Sequence, residues 1–266
     1  MSKPSGAIDM TQGKPINLML RFALPMMIGS IFQSLYSMVD SAVLGRFVGS
    51  HALAAIGATT STTGLILLLA TGVTSAISIV LSQYVGANDT DRVRKGIVAS
   101  GWITLLLGVV LGLISVFAAR PLMQLLKTPE DVIDMSVLYI QIVCGCGIAQ
   151  FAYNAAASIL RALGDSKTPL YFLILCSILN VILDLISVIG LNMGVAGVAI
   201  ATVGSQAISA AICILVMFRK YPDLMPKRHT LRLDMPVSLK IFGMGAQMAL
   251  QSLFLSVGMM VITLSL

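Results

Sequence analysis

Residues 52–85 read ALAAIGATTSTTGLILLLATGVTSAISIVLSQYV, a run without a single charged side chain. About 20 apolar residues suffice for a helix to cross a bilayer. This run is longer, so it predicts a membrane helix that tilts, bends or projects beyond the hydrocarbon. Outward from it, six further apolar segments emerge, at 16–44, 96–119, 133–159, 169–190, 194–218 and 237–266. The expected fold class is therefore an all-α polytopic membrane protein. Composition agrees: the 266 residues are 57% hydrophobic and 11% charged, where a soluble domain carries about 25% charged residues. Mean hydropathy is +0.95. The polar opening MSKPSGAIDMTQGKP and the length of the first apolar run argue for a retained first span rather than a cleaved leader.

Charge sets the expected orientation. With the N-terminus in the cytoplasm, Lys3, Lys14, Arg21, Arg92, Arg94, Lys95, Arg161, Lys167, Arg219, Lys220, Lys227, Arg228, Arg232 and Lys240 all fall on the inner side. Only Arg46, Arg120 and Lys127 fall outside. This asymmetry predicts a multi-pass inner (plasma) membrane protein with a cytoplasmic N-terminus. The net charge of +6 is then a topology signal, and the expected surroundings are a lipid bilayer, with no nucleic acid partner.

Enzyme-type constellations are missing. His51 and His229 fall in loops, without a Ser, Cys or Asp partner in a shared span. Cys144, Cys146, Cys176 and Cys213 lie in apolar segments without metal-ligand spacing and read as small buried hydrophobes. No phosphate-binding glycine motif is present. The expectation is a non-enzyme without a cofactor and without direct use of ATP. Gly108 and Gly112 form a GxxxG motif of the kind that lets helices approach closely. The first span opens INLML and the seventh VSLKI, a weak similarity that suits a parallel repeat of two six-helix lobes.

Carboxylates inside spans cost about 3 kcal/mol or more at the helix centre, so Asp40 and Asp184 need a reason. Gln33, Tyr36 and Asp40 share one face of the first span, which also holds Pro25, a residue that removes a backbone hydrogen bond. Asn180 and Asp184 share a face of the fifth span, one turn apart. An amide and a carboxylate so placed form an oxygen-rich patch suited to a hard cation such as Na⁺. A lone protonatable carboxylate would carry H⁺ instead, and either coupling ion fits. Thr202 in the sixth span could add a hydroxyl, although a span threonine by itself bonds back to its own helix. Asp134, near the outer end of span four, reads as interfacial.

Several stretches together resemble the multidrug and toxic compound extrusion (MATE) family. LRALGDSKTPLYF (160–172) is similar to that family's loop between spans four and five, and MVDSAVLGRFVGSHALAAIG (38–57) to its first outer loop. SQYVGANDTDRVRKG (82–96) and NVILDLISVIGLNMGVAGVAIATVGSQ (180–206) resemble its second cytoplasmic loop and its fifth and sixth spans. The resemblance implies an antiporter that expels amphipathic, often cationic, organic compounds in exchange for Na⁺ or H⁺. In the branch with acidic residues in its N-terminal lobe (the DinF-like branch), it implies a cation site at Asp40, Asn180, Asp184 and Thr202. It also implies a substrate cavity at Gln33, Tyr36, Tyr139 and Asn154, with Pro25 bending the first helix.

The resemblance further implies two six-helix lobes, whereas the seventh apolar segment here is the last. The expected organisation is a cytoplasmic tail (1–15), a six-helix N-terminal lobe (16–218), an inter-lobe loop (219–236) and the first helix of a truncated second lobe (237–266). A complementary lobe or a second copy would then be a partner. The alternatives are a lipid-linked oligosaccharide flippase of the same superfamily, which basic residues in the cavity would favour, and a non-transporting membrane fragment. On the sequence reading no basic residue lies inside, and Arg161 belongs to a loop.

Overall fold

The computed structural model describes residues 14–226 and 233–265. The N-terminal tail up to residue 13, and Lys227, Arg228, His229 and Arg232 of the long loop, lie outside the described residues. Eight α-helices are described: α1 (Pro15–Val43), α2 (Ser50–Gly86), α3 (Thr90–Leu125), α4 (Glu130–Gly145), α5 (Ile148–Ala162), α6 (Lys167–Asp184), α7 (Gly194–Lys220) and α8 (Met235–Ser265). There is no strand among the described residues. The predicted all-α membrane architecture is what the chain adopts: five helices are long and apolar enough to cross a bilayer, and α4 with α5 makes a sixth candidate span.

The expected fourth span is in fact broken. α4 and α5 meet at an angle of 43° across Cys146 and Gly147. The cause is close packing on α3: a Cβ at Gly112 would stand 2.9 Å from the Gly145 carbonyl oxygen, and one at Gly108 would stand 3.0 Å from Ile148 Cγ1. The GxxxG pair therefore seats the break itself. One cysteine expectation is corrected by this break, because Cys146 is exposed there while Cys144, Cys176 and Cys213 are buried.

Short turns hold neighbouring helices antiparallel. Asp89 caps α3 by accepting the Arg92 amide at 3.0 Å, and Asp91 lies in the same first turn, where the helix dipole favours negative charge. Ion pairs sort by bundle end. Lys95 pairs with Asp234, Lys220 with Asp165, and Arg94 donates twice to the Asp223 carbonyl, all at one end. At the opposite end Arg120 pairs with Asp134, and His51 opens α2 with its Nδ1 3.1 Å from Asp131. His51 therefore has an aspartate neighbour that its position in the sequence did not reveal.

Helices in lipid associate through close packing rather than through the hydrophobic effect. The largest buried cluster joins α2, α3, α5, α7 and the start of α8, through side chains such as Ile77, Leu81, Leu160, Met217 and Ile241. α8 crosses α2 at backbone contact: a Cβ on Gly72 would meet the Ala249 nitrogen at 2.8 Å. α1 is different. It packs chiefly on α6 and exposes Leu20, Leu24, Met27, Ile31 and Met38. It is the helix of the lobe least held by its neighbours.

Candidate functional site

Asp40 and Asp184 come together across the α1–α6 contact, and their carboxyl groups lie within interaction range of each other. Asp184 is 0% exposed and Asn180, one turn below it, is 1% exposed. Four buried oxygens here have no hydrogen-bond partner: Asp40 Oδ1, Asn180 Oδ1 and both carboxylate oxygens of Asp184. Buried polar atoms are almost always paired, so this concentration of orphans in one place is unusual.

Asn180 is oriented by α7. Its Nδ2 donates to Thr202 Oγ1 at 3.5 Å, which leaves Oδ1 unpartnered. Thr202 donates its hydroxyl to the Val198 carbonyl at 2.9 Å, the back-bond expected of a span threonine, and still offers a lone pair toward Asn180. Two helices thus supply two carboxylates and one amide oxygen, with the Thr202 hydroxyl of α7 on the nitrogen side of that amide. A hard cation fits that set. A transition-metal cluster does not: no group of three or more His, Cys, Asp or Glu side chains is assembled among the described residues.

Both carboxylate helices change geometry just past their aspartates. α1 continues into a π-helical turn at Leu44–Val48, and α6 into another at Leu185–Gly190. The two turns touch each other, and such wide turns recur at functional sites. At these turns Val43, Leu44, Val188, Val195 and Val198 form an apolar cluster, with Tyr139 packed against it.

The expected cavity residues divide. Tyr36 lies beside Gln33 and Asp40 on α1, and Tyr139 of α4 lies within electrostatic reach of Asp40 and Asp184, so both tyrosines border the carboxylate pair. Gln33 and Asn154 instead line a cavity of about 150 Å³ between α1, α5 and α6, which also receives Pro25, Tyr153 and Arg161. α1 runs unbroken through Pro25, which is buried against this cavity. Gln33 and Asp40 are two helical turns apart, roughly 10 Å along α1. One helix therefore walls both the cavity and the carboxylate site.

Arg161 is the residue that sequence reading misplaced. It lies in the last turn of α5, half-buried on the cavity wall, with Nη2 donating to Ser158 Oγ at 2.9 Å. The interior therefore does contain a basic side chain. Helical phase carries the missing signal: Asn154 and Arg161 are i and i+7 on one helix, hence on one face. Placing the end of the span at 159 hid this relation.

A second buried aspartate has the opposite surroundings. Gly164, at φ +84°, ends α5 in a left-handed turn, with the Gly164 amide on the Arg161 carbonyl and the Asp165 amide on the Leu160 carbonyl. Asp165 then accepts from the Thr168 amide at 3.0 Å, the Thr168 hydroxyl at 2.7 Å, Lys220 Nζ at 2.7 Å and the Tyr221 hydroxyl at 3.3 Å. The LGDSKTP stretch is thus a helix stop, a helix cap and a tie to the end of α7.

Comparison with known proteins agrees with this architecture. A family model described as MatE matches residues 25–186. The chain is 31% identical over 264 residues to the "Probable multidrug resistance protein YpnP" of Bacillus subtilis (strain 168), covering 95% of this chain and 59% of that protein. It matches a solved structure described as an outward-facing conformation of a multidrug resistance MATE family transporter of the MOP superfamily, with TM-score 0.89, 25% identity, and coverage of 97% and 57% of the two chains. It also matches MATE in the bent conformation, with TM-score 0.86, 25% identity, and coverage of 93% and 55%. The chain therefore spans little more than half the length of each of these proteins.

Proposed function

The chain belongs to the MatE family, and from that premise we propose that it serves in cation-coupled export of amphipathic or cationic drugs and other toxic organic compounds across the inner membrane, its N-terminus cytoplasmic. The observation that carries this reading is the group of unpartnered buried oxygens on Asp40, Asn180 and Asp184. Two carboxylates within reach of each other cannot both remain ionised in a low-dielectric site without a cation between them. Na⁺ would take the two carboxylates, the Asn180 carbonyl oxygen and the Thr202 hydroxyl; H⁺ would bridge the carboxylates alone. Either ion removes the repulsion between α1 and α6.

Coupling follows from the placement of α1. This helix carries Asp40 at the ion site and Pro25 and Gln33 at the cavity, and it is held chiefly by α6. Pro25 supplies no backbone N–H, so bending there costs less than elsewhere in the helix. A cation that binds one shape of α1 more tightly than the other shifts the population between them, and the cavity wall moves with it. A complementary lobe, or a second copy of the chain, would complete the route for the exported compound.

Arg161 favours a second reading, a flippase for lipid-linked oligosaccharides of the same superfamily, whose anionic substrates call for basic cavity residues. A single guanidinium on the wall gives it the lesser support. Drug-driven Na⁺ or H⁺ movement in vesicles tests the main reading, using the chain alone and with a complementary lobe. Loss of flux in Asp40→Asn is the expected result; undiminished coupled flux in that variant would overturn the assignment.

A further inference from the structure

We infer that the cavity between α1, α5 and α6 contains an anion subsite, formed by Arg161 and Ser166, that takes the carboxylate of a small amphipathic compound. This deepens the export reading by naming a substrate class, and it rests on that reading for treating the cavity as substrate space.

Arg161 forms no ion pair with any described residue. Its nearest acidic neighbour in sequence, Asp165, is already saturated: one oxygen accepts the Thr168 amide, and the other takes Lys220, the Thr168 hydroxyl and Tyr221. Among the described residues the guanidinium has no counter-ion on the cavity wall and donates one hydrogen bond, to Ser158 Oγ. A half-buried charge without a partner is costly wherever water is excluded. A guanidinium has five donors in a planar fork, a shape matched to a carboxylate.

Ser166 is the independent second observation. It lines the same cavity, is 4% exposed, and its hydroxyl has no partner. Asn154 and Gln33 add amide donors on the opposite walls. Among the described residues no carboxylate lines the cavity. The donor set is therefore the reverse of what a bare cation needs, and the 150 Å³ volume suits a small ring and its acid group. Asp40 lies two turns beyond Gln33 on α1, so the carboxylate pair is separate from the cavity that Arg161 and Ser166 line.

The test is equilibrium dialysis of radiolabelled benzoate, benzamide and benzylamine against the purified chain in phosphatidylcholine nanodiscs, with empty nanodiscs as blank. The three probes share a ring and differ in charge, and no ion gradient is involved, so the result stands whether or not coupled export is found. The expected order is benzoate tightest, by on the order of ten-fold over benzamide, the size of a charge-assisted hydrogen-bonded pair. Arg161→Gln should bring benzoate to within about two-fold of benzamide, with benzamide binding retained as the sign of an intact fold. Arg161→Lys should keep a weaker preference for benzoate, and Ser166→Ala should weaken benzoate alone. Should Arg161→Gln not fold, the wild-type order and the Ser166→Ala result still decide. Benzamide or benzylamine binding as tightly as benzoate to the wild type overturns the proposal. So does an unchanged preference in folded Arg161→Gln. Benzoate binding abolished by phosphatidylglycerol in the nanodisc would assign the subsite to a lipid headgroup and overturn the small-molecule source.

Discussion

Asp165 and Asp184 are both 0% exposed, yet they are opposites. Asp165 accepts hydrogen bonds from a backbone amide, two hydroxyls and an ammonium group. Asp184 accepts none, and neither does the Asp40 oxygen that is buried beside it. Burying a carboxylate costs several kcal/mol before compensation. At Asp165 the fold supplies the compensation, and the result is a fixed tie between the α5–α6 turn and the end of α7. At Asp184 the fold withholds it and sets a second carboxylate nearby. A site left unsatisfied by its own chain is suited to a ligand that comes and goes.

That contrast is breakable. Asp184→Asn removes the charge but keeps the shape, so coupled export should fall by about 100-fold or more while the melting temperature stays level or rises, because an uncompensated buried carboxylate is lost. Vesicle flux and a thermal melt on the same preparation read both halves. A large stability loss without loss of export would make Asp184 structural.

Asp165→Asn should do the reverse. It strands Lys220 beside an uncharged amide and should cost about 3 kcal/mol of stability, measured by denaturant titration, while export per folded molecule changes little. Replacing Lys220 by Met in the same chain should recover part of that loss, since both partners of the pair are then gone.

Acid sharpens the comparison further. Burial pushes the Asp165 carboxyl up, but hydrogen bonds from Lys220 and Thr168 outweigh it and hold the group below the usual carboxylate range. A depressed folded value means that its contribution to stability is present above the unfolded pKa, about 3.9, and is lost as pH falls through the folded value. Wild type and Asp165→Asn should therefore differ by a constant amount in melting temperature at neutral pH, and converge only below about pH 4. The smallest effect concerns the scaffold. Gly112→Ala places a methyl against the Gly145 carbonyl oxygen and should cost about 1–3 kcal/mol, read as a lower melting temperature.

The sequence made the spans and the polar face of the fifth apolar segment legible because both are periodic. Apolar runs of spanning length define the helices, and i, i+4 spacing put Asn180 and Asp184 on one face. Convergence of Asp40 with Asp184 could be expected only through family resemblance, since helical phase says nothing about which helices touch. The break between α4 and α5 was illegible because Val143–Ala149 continues the apolar pattern, and the bend is imposed by the glycines of α3. The Asp165 cluster was hidden because Lys220 lies 55 residues away. Arg161 was placed outside the interior for a simpler reason: hydropathy ends a span where charge begins, while the helix itself runs on to Ala162.

The central claim is that the cation site is built by Asp40 and Asp184 within these residues. Its most direct test is the cation uptake of the purified chain on passing from Na⁺-free alkaline buffer to Na⁺-containing neutral buffer, counting radioactive Na⁺ and H⁺ together. Binding that relieves one pair of facing carboxylates predicts an uptake by wild type and Asp165→Asn that exceeds that of either Asp40→Asn or Asp184→Asn by about one cation per chain. Equal uptake in wild type and in both of those variants would contradict it.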